Sequence, residues 1–201
     1  MSFERNFTNS IEFRARFDAS FQIDEAGRQL LENTFKQTSE KSMQEPFFSI
    51  RQGVCALARE YASDNSVKPY SYQCLADSHV FLKACIEQKI INEKYMTLTV
   101  GDVSYKGNKL FNASRQTMES AIANGISTKD KPLFHVWLTL ADMTVIDLTI
   151  FRQLVGRGLL QQDDLAEKQL QVWRPERCGD FDYHPVLVDD EFLSRLQKPV
   201  H

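Results

Sequence analysis

Two neighbouring runs of β-forming residues constrain the fold of this 201-residue chain more than any other feature. Residues 133–140 and 144–149 are rich in Val, Leu, Ile, Thr and aromatic side chains, and only a short connection separates them. Two such runs at this spacing predict an antiparallel hairpin. Because successive side chains of a strand point to opposite faces, His135 and Trp137 are predicted to share one face of the hairpin.

The length of the connection decides which face carries Asp147. A connection with an odd number of residues places Asp147 opposite Trp137, on the face of His135 and diagonal to it. A two-residue turn would put the carboxylate on the other face. We therefore predict a three- or five-residue connection, in which Asp147 orients the imidazole of His135 and stabilises its protonated form.

Cys74 lies at the predicted start of a helix. Pro69 marks non-helical chain before it, and Ser71 or Gln73 can begin a helix that continues toward Gln88. A thiol in a first helical turn faces unpaired backbone N–H groups and the positive end of the helix dipole, which favour the thiolate. The same N–H groups can form an oxyanion hole. The alternative is that Cys74 is simply a buried core sulfur.

The other three histidines fit the role of a catalytic base less well. His79 follows Cys74 by five residues, which on a helix turns it about 140° away. His184 lies in a segment that the sequence predicts as a loop, and His201 is the last residue of the chain. Since none of them has a carboxylate at strand spacing, His135 is the predicted base.

Four short stretches resemble those of a known family, and they occur in its order: Tyr72-Gln73-Cys74-Leu75-Ala76, residues 95–101, His135-Val136-Trp137 and Ile146-Asp147-Leu148-Thr149. Transglutaminase-like thiol enzymes, a branch of the papain-like fold, typically show a Cys at a helix start, a strand ending near Gly, a His-x-Trp strand and a following Asp-x-Thr strand. The resemblance covers residues 69 to about 150, under half of the chain. It rests on the order and spacing of these motifs rather than on any one of them.

The resemblance implies that Cys74 is the nucleophile, that His135 is the base and acid, and that Asp147 orients His135. It also implies an α+β fold with a papain-like core. In that core, a helix carrying the Cys packs on an antiparallel sheet carrying the His and Asp, and N-terminal helices are added outside it. The family often has Gly shortly before the Cys and Pro after the Asp, where this chain has Gln73 and Leu148.

Three residues next to the predicted nucleophile and base are candidates for substrate binding: Tyr72, Gln73 and Trp137. Tyr72 and Gln73 directly precede the nucleophile, and Trp137 shares the predicted face of the base. The alternative for Trp137 is an ordinary core position.

Length and composition favour one domain over residues 1–201. A hydrophobic content of 42% is enough to build one substantial core. We divide the chain into an N-terminal helical covering region (1–68), a catalytic core (69–150) and a C-terminal extension (151–201). The local patterns predict further helices over 24–41, 46–62, 112–123, 151–155, 163–168 and 189–196, and strands over 95–105 and 170–173.

The N-terminal region carries a cluster of phenylalanines between charged residues. We expect a helix or strand that packs on the core. The alternative is an adaptable lid or partner-binding arm, because in an extended chain Phe13, Phe17 and Phe21 would line one face.

Charge and cysteine content exclude several other classes. Lys and Arg number 24 against 27 Asp and Glu, so bulk electrostatics gives no support for nucleic acid as a partner. Four dispersed cysteines do not make a disulfide scaffold; Cys55 and Cys85 are predicted in the core, and Cys178 is predicted to be exposed. Four scattered histidines predict no metal site, and no cofactor is implied. Residues 1–20 lack the apolar core of an export signal or membrane span, which predicts a cytoplasmic protein with no membrane partner.

These features predict cysteine-dependent acyl transfer on amide bonds of a peptide or protein substrate. Peptidase, amidase or deamidase activity is preferred to cross-linking, and the missing export signal speaks against a peptidoglycan substrate. One alternative is a non-catalytic binding protein that keeps a transglutaminase-like fold. Another is an acyl-CoA-dependent thiol acyltransferase, which would use the same order of Cys, His and Asp. The oligomeric state is left open.

Overall fold

The computed structural model describes residues 2–41, 45–63, 72–92, 95–127, 131–166, 170–174 and 177–197. The sequence predictions at Pro69, Ser71 and His201 lie outside these residues, as does the end of the helix predicted over 163–168. Within the described ranges the chain has a mixed α+β fold, in which helices pack around one antiparallel sheet.

The sheet is built around one long strand. Its members are β1 (Met96–Tyr105), β2 (Asn108–Lys109), β3 (His135–Leu140), β4 (Val145–Asp147), β5 (Gln171–Trp173) and β6 (Phe181–Val188). The spatial order is β6-β1-β3-β4-β5, and β2 pairs with the far end of β1. Between Val100 and Gly101 the register with β6 shifts by one residue, because Val186 is an extra residue that bulges β6, and bulges of this kind bend a strand.

Seven helices surround the sheet in the described part of the chain: α1 (Phe3–Arg14), α2 (Glu25–Lys41), α3 (Glu45–Ser63), α4 (Gln73–Glu87), α5 (Arg115–Asn124), α6 (Ile150–Gly156) and α7 (Phe192–Leu196). Short 3-10 turns cover Ala19–Phe21 and Gln162–Ala166. The predicted helices over 24–41 and 46–62 and the strand over 95–105 are confirmed, and every end agrees within one residue. The helix predicted over 112–123 begins only at Arg115, because the Ser114 hydroxyl accepts the Thr117 N–H and caps it there. None of the described helices is long and apolar enough to cross a membrane.

The N-terminal phenylalanines do not form an extended arm. The Ser2 hydroxyl accepts the Arg5 N–H and caps α1, and the helix buries Phe7 and Phe13. Helix α1 packs across β6. The alternative of an extended lid is therefore wrong, and the prediction of a packed element is confirmed.

Two other expectations are wrong. The segment around His184 is not a loop but the edge strand β6, where Pro185 lies opposite Gly101. An edge strand tolerates proline because the missing N–H faces away from the ladder. Cys178 is buried rather than exposed, and its thiol donates to the Arg174 carbonyl at 3.3 Å. The Cys85 prediction is confirmed, since that side chain is buried.

Candidate active site

The connection of the β3–β4 hairpin has three residues. The Leu140 N–H donates to the Thr144 carbonyl at 2.9 Å, which leaves residues 141–143 to make the turn. Met143 takes a left-handed conformation with φ 66°, as the last residue of a three-residue hairpin loop commonly does. The Asp142 carboxylate accepts the Thr144 N–H at 3.0 Å and fixes the turn. The odd connection length that the sequence predicts is confirmed.

The register brings the predicted base and carboxylate to the same face. Leu138 lies opposite Ile146, and the same pairing continued by one residue sets Asp147 opposite Trp137. The Nε2 of His135 and the Oδ2 of Asp147 are 2.7 Å apart. The sequence prediction that these two side chains meet is therefore confirmed, whereas their catalytic roles remain predictions.

Asp147 is held by four donors. Besides His135, the Tyr183 hydroxyl donates to Oδ2 at 3.0 Å, and the N–H groups of Thr149 and Ile150 both donate to Oδ1 at 3.0 Å. Ile150 is the first residue of α6, so the carboxylate also lies at a helix start. His135 and Asp147 are both fully buried. A carboxylate with this many donors has a fixed orientation and holds the imidazole in one position.

The environment of His135 favours its protonated form. Burial alone would lower the pKa of the imidazole, but the charge and hydrogen bond of Asp147, together with the nearby Cys74 thiol, raise the pKa of His135 to about 10. Cys74 is the second side chain that hydrogen-bonds to the ring, and the ring nitrogen not used by Asp147, Nδ1, is buried. The contact between nucleophile and base is often loose in the absence of substrate.

Aromatic rings enclose the imidazole. Phe111 stacks on His135 with ring centroids 5.0 Å apart, and Trp137 lies 6.3 Å away in a nearly parallel plane. The Arg157 guanidinium covers Phe111 at 4.5 Å. Asp102 fixes this arrangement because its carboxylate accepts the Phe111 N–H at 3.1 Å. Water is thereby kept from the ring, which strengthens its interaction with Asp147.

A glycine makes the close packing around the base possible. Gly101 lies opposite His135 in the β1–β3 ladder. A Cβ at this position would come within 2.7 Å of the Trp137 ring and would also clash with the carbonyl of His184. Gly101 lies within β1, which continues to Tyr105, rather than at the end of a strand.

Cys74 is the second residue of α4 and is fully buried. The helix begins at Gln73, as predicted, and the preceding residue Tyr72 provides no side-chain cap. The Leu75 N–H already donates to the Tyr72 carbonyl at 3.0 Å. The first N–H groups of an α-helix have no partner within the helix, so the Cys74 N–H is the candidate donor to an oxyanion near the sulfur. Helix α4 packs on β3, where the Ser78 hydroxyl donates to the Val136 carbonyl at 3.4 Å.

The three predicted substrate-binding residues have different surroundings. Trp137 has no exposed surface and meets the edge of the Tyr183 ring at 5.1 Å. Tyr72 contacts the Phe134 ring at 4.7 Å. Gln73 is half-buried, and its side chain bonds to Asp77. Their role in substrate binding remains a prediction.

His79 lies apart from the Cys74 site. Its ring is half-buried on α4, and burial lowers the pKa of its imidazole. Its charged neighbours are Lys83, Glu191 and Asp190 rather than the carboxylate that contacts His135. Elsewhere in the described ranges, no group of three His, Cys, Asp or Glu side chains is arranged to hold a metal ion.

Two members of the site were missed by sequence reasoning. Tyr183 was not predicted as a site residue, because Pro185 and the polar residues around it favour a loop over a strand. The alternation of Phe181, Tyr183 and Leu187, all buried in β6, is the signal that could have identified an edge strand. Phe111 lies in irregular chain before α5, where no periodic pattern indicates a contact with His135.

Comparison of the chain with protein-family models, with curated proteins and with solved structures finds no match. The function is therefore inferred from the geometry of the site.

Replacing Tyr183 by Phe tests how strongly β6 supports Asp147. We expect Tyr183→Phe to lower the free energy of unfolding by about 1.5–3 kcal/mol, because a hydrogen bond to a buried carboxylate is lost. Urea titration measures the change. Tyr105→Phe is the matched control, since Tyr105 packs on the same Phe181 ring without a bond to Asp147. Equal losses in the two variants would contradict a special role for the Tyr183 hydroxyl.

Proposed function

We propose that this protein is a cysteine-dependent acyl-transfer enzyme that acts on amide bonds of a peptide or protein, with Cys74 as nucleophile, His135 as acid and base, and Asp147 as the residue that orients His135. The observation that carries the proposal is the buried 2.7 Å contact between His135 and Asp147 beside a thiol at a helix start. We further propose that α4 and the sheet form a transglutaminase-like core. Helix α4 packs on the strand that carries His135, which supports that assignment.

The hydrogen bonds of the buried His135 ring support a thiolate on Cys74. With its pKa raised to about 10, His135 is protonated at neutral pH and carries an N–H on each ring nitrogen. Nε2–H donates to Asp147, and Cys74 is the other side chain that hydrogen-bonds to the ring. A buried donor without an acceptor is costly. A thiolate on Cys74 would supply the acceptor. In the proposed mechanism the proton is therefore on the imidazole, and the sulfur attacks as the thiolate.

The proposed reaction has two halves. The Cys74 sulfur attacks the amide carbonyl carbon, and the oxyanion is stabilised by the backbone N–H of Cys74 at the start of α4. The C–N bond then breaks as His135 gives its Nδ1 proton to the leaving amine, and a thioester remains. His135 next takes a proton from water as the water oxygen attacks the thioester. The C–S bond breaks, the acid is released and the thiolate is restored.

Hydrolysis and transfer differ only in the acceptor. Water gives peptidase, amidase or deamidase activity, which we rank above cross-linking to an amine. An acyl-CoA donor is a weaker candidate, and nothing at the site favours it.

A non-catalytic binding protein is the second candidate. It is favoured by the complete burial of Cys74, His135 and Asp147, since substrate can reach the sulfur only after side chains that cover it move. Enzymes often open such sites by local motion. Turnover therefore distinguishes the two candidates.

Incubation of the protein with a complex peptide mixture tests the proposal. We expect new peptide ends or conversion of side-chain amides to acids, detected by mass spectrometry, because water is the preferred acceptor. Cys74→Ser should lower the rate by at least about a thousandfold, as loss of a nucleophile does in comparable enzymes. His79→Gln serves as a control that should keep the activity. Turnover that is unchanged in Cys74→Ser, or absent from the unmodified protein, would contradict the proposal.

A further inference from the structure

A groove of about 630 Å³ borders the candidate active site. Two of its lining residues lie close in sequence to the proposed nucleophile and base. Tyr72 is two residues before Cys74, and Phe134 is the residue before His135. The Tyr72 and Phe134 rings contact each other at 4.7 Å. The groove therefore begins where the helix of the nucleophile meets the strand of the base.

One wall of the groove is a row of neutral hydrogen-bonding side chains on α5. Gln116, Ser120 and Asn124 recur every four residues, line the groove and are exposed. The row is about 12 Å long at 1.5 Å per residue. An extended peptide advances about 3.3 Å per residue, so about four residues can lie along it.

Apolar residues also line the groove, among them Ala121, Ile126 and Leu133, together with the hydroxyls of Thr117 and Ser127. Leu133 is 47% exposed at the edge of the groove. A ligand lying in the groove would cover it. Hydrogen-bonding and apolar residues in one groove suit a ligand that has both polar backbone groups and small apolar side chains.

No charged residue is found among the described residues that line the groove, although 25% of the chain is charged. Amide side chains such as those of Gln116 and Asn124 donate and accept hydrogen bonds at once, as a peptide backbone does. A phosphate-bearing acyl-CoA would find no cation among these residues. The chemistry therefore fits an uncharged peptide.

We infer that this groove binds the acyl donor as an extended peptide segment of uncharged residues and leads its amide to Cys74. The inference rests on the proposed function. The Tyr72 hydroxyl accepts the Leu133 N–H in a long 3.4 Å bond. A peptide carbonyl can replace the hydroxyl as acceptor and let the Tyr72 ring turn aside, which would open the way to the buried sulfur.

Binding and thiol modification together test the inference. The binding probe is a pool of short acetylated and amidated peptides of Ala, Leu, Ser, Asn and Gln, titrated into Cys74→Ser so that no turnover occurs. Ser120→Arg, added to Cys74→Ser, places a bulky charge in the groove. Ala123→Arg is the matched control, because Ala123 is exposed on the same helix and does not line the groove.

We expect Ser120→Arg to weaken binding of the peptide pool at least about tenfold, with Ala123→Arg unchanged, and a pool enriched in Asp and Lys to bind less tightly than the neutral pool. In the chain that retains Cys74, Ser120→Arg should slow modification by an uncharged peptide acyloxymethyl ketone by a similar factor. Modification by the small reagent iodoacetamide should not change, because it does not occupy the groove.

The outcomes separate the inference from the proposed function. Equal binding of the neutral pool to the two arginine variants, or preference for the charged pool, overturns the groove inference, even when Cys74 reacts normally. If the neutral pool binds in the groove but Cys74 reacts no faster than an ordinary thiol, the proposed function fails and the groove remains a peptide-binding site.

Discussion

Iodoacetamide should alkylate Cys74 faster than Cys55 in mildly acidic solution, although exposure alone predicts the reverse. Cys74 is fully buried, whereas Cys55 is only partly buried. Burial raises the pKa of Cys55, so that thiol stays protonated and unreactive. In the proposed mechanism, His135 stabilises the negative charge of the Cys74 sulfur that attacks. Peptide mapping by mass spectrometry measures both rates in the same sample.

Removing the imidazole should abolish this difference. At about pH 6 an ordinary thiol has roughly one part in 300 as thiolate, so we expect His135→Gln to slow the alkylation of Cys74 by about 10- to 100-fold. The range allows for the lower intrinsic nucleophilicity of a stabilised thiolate. His79→Gln is the matched control, because His79 lies on the same helix as the thiol and should leave the rate unchanged. If both variants react like the unmodified protein, the imidazole does not activate the sulfur.

The second large effect concerns stability. Asp147→Ala should lower the free energy of unfolding by about 3–5 kcal/mol, because it leaves a buried imidazolium and three other donors without their acceptor. Urea titration measures the loss. Asp182→Ala is a suitable control, since this carboxylate is exposed on β6 and should change stability by less than about 0.5 kcal/mol. A loss below about 1 kcal/mol for Asp147→Ala would mean that the four contacts do not stabilise the fold.

The same variant should change how stability depends on pH. The folded pKa of His135, about 10, lies above its ordinary value of 6.5. A raised pKa contributes stability that is fully present below about pH 6.5 and is lost as the pH rises through about 10. The stability difference between the unmodified protein and Asp147→Ala should therefore be largest near pH 6 and should narrow toward pH 10. A difference that grows with pH would show that His135 is neutral in the folded protein.

Local rules are sufficient for the parts of the site that lie close together in sequence. The strand alternation and the odd connection place Asp147 on the face of His135, and both are properties of one hairpin. The start of α4 at Gln73 also agrees with the sequence prediction, although Tyr72 provides no side-chain cap. Contacts between distant segments are different. Tyr183 contacts Asp147, which lies 36 positions earlier in the sequence. Tyr183 belongs to the edge strand β6, where Pro185 interrupts the alternation that would predict a strand.

Burial is also a property that local patterns predict poorly. Cys178 follows a charged residue and precedes Gly179, which favours an exposed turn, yet the thiol is buried and contacts the carbonyls of Trp173 and Arg174. Phe111 gives no local sign that it will cover the His135 ring. Such long-range packing leaves Cys74 and His135 without exposed surface. A substrate can therefore reach Cys74 only when the side chains that cover it move.

Formation of a thioester on Cys74 is the most direct test of the proposed function. The protein is exposed briefly to an activated ester such as p-nitrophenyl acetate, quenched in acid and analysed by intact and peptide-level mass spectrometry. We predict one acetyl group on Cys74 in the unmodified protein, a much smaller amount in His135→Gln at the same time, and none at this position in Cys74→Ser. Acetylation of Cys74 that is equally fast in His135→Gln, or no acetylation of Cys74 at all, would contradict the account.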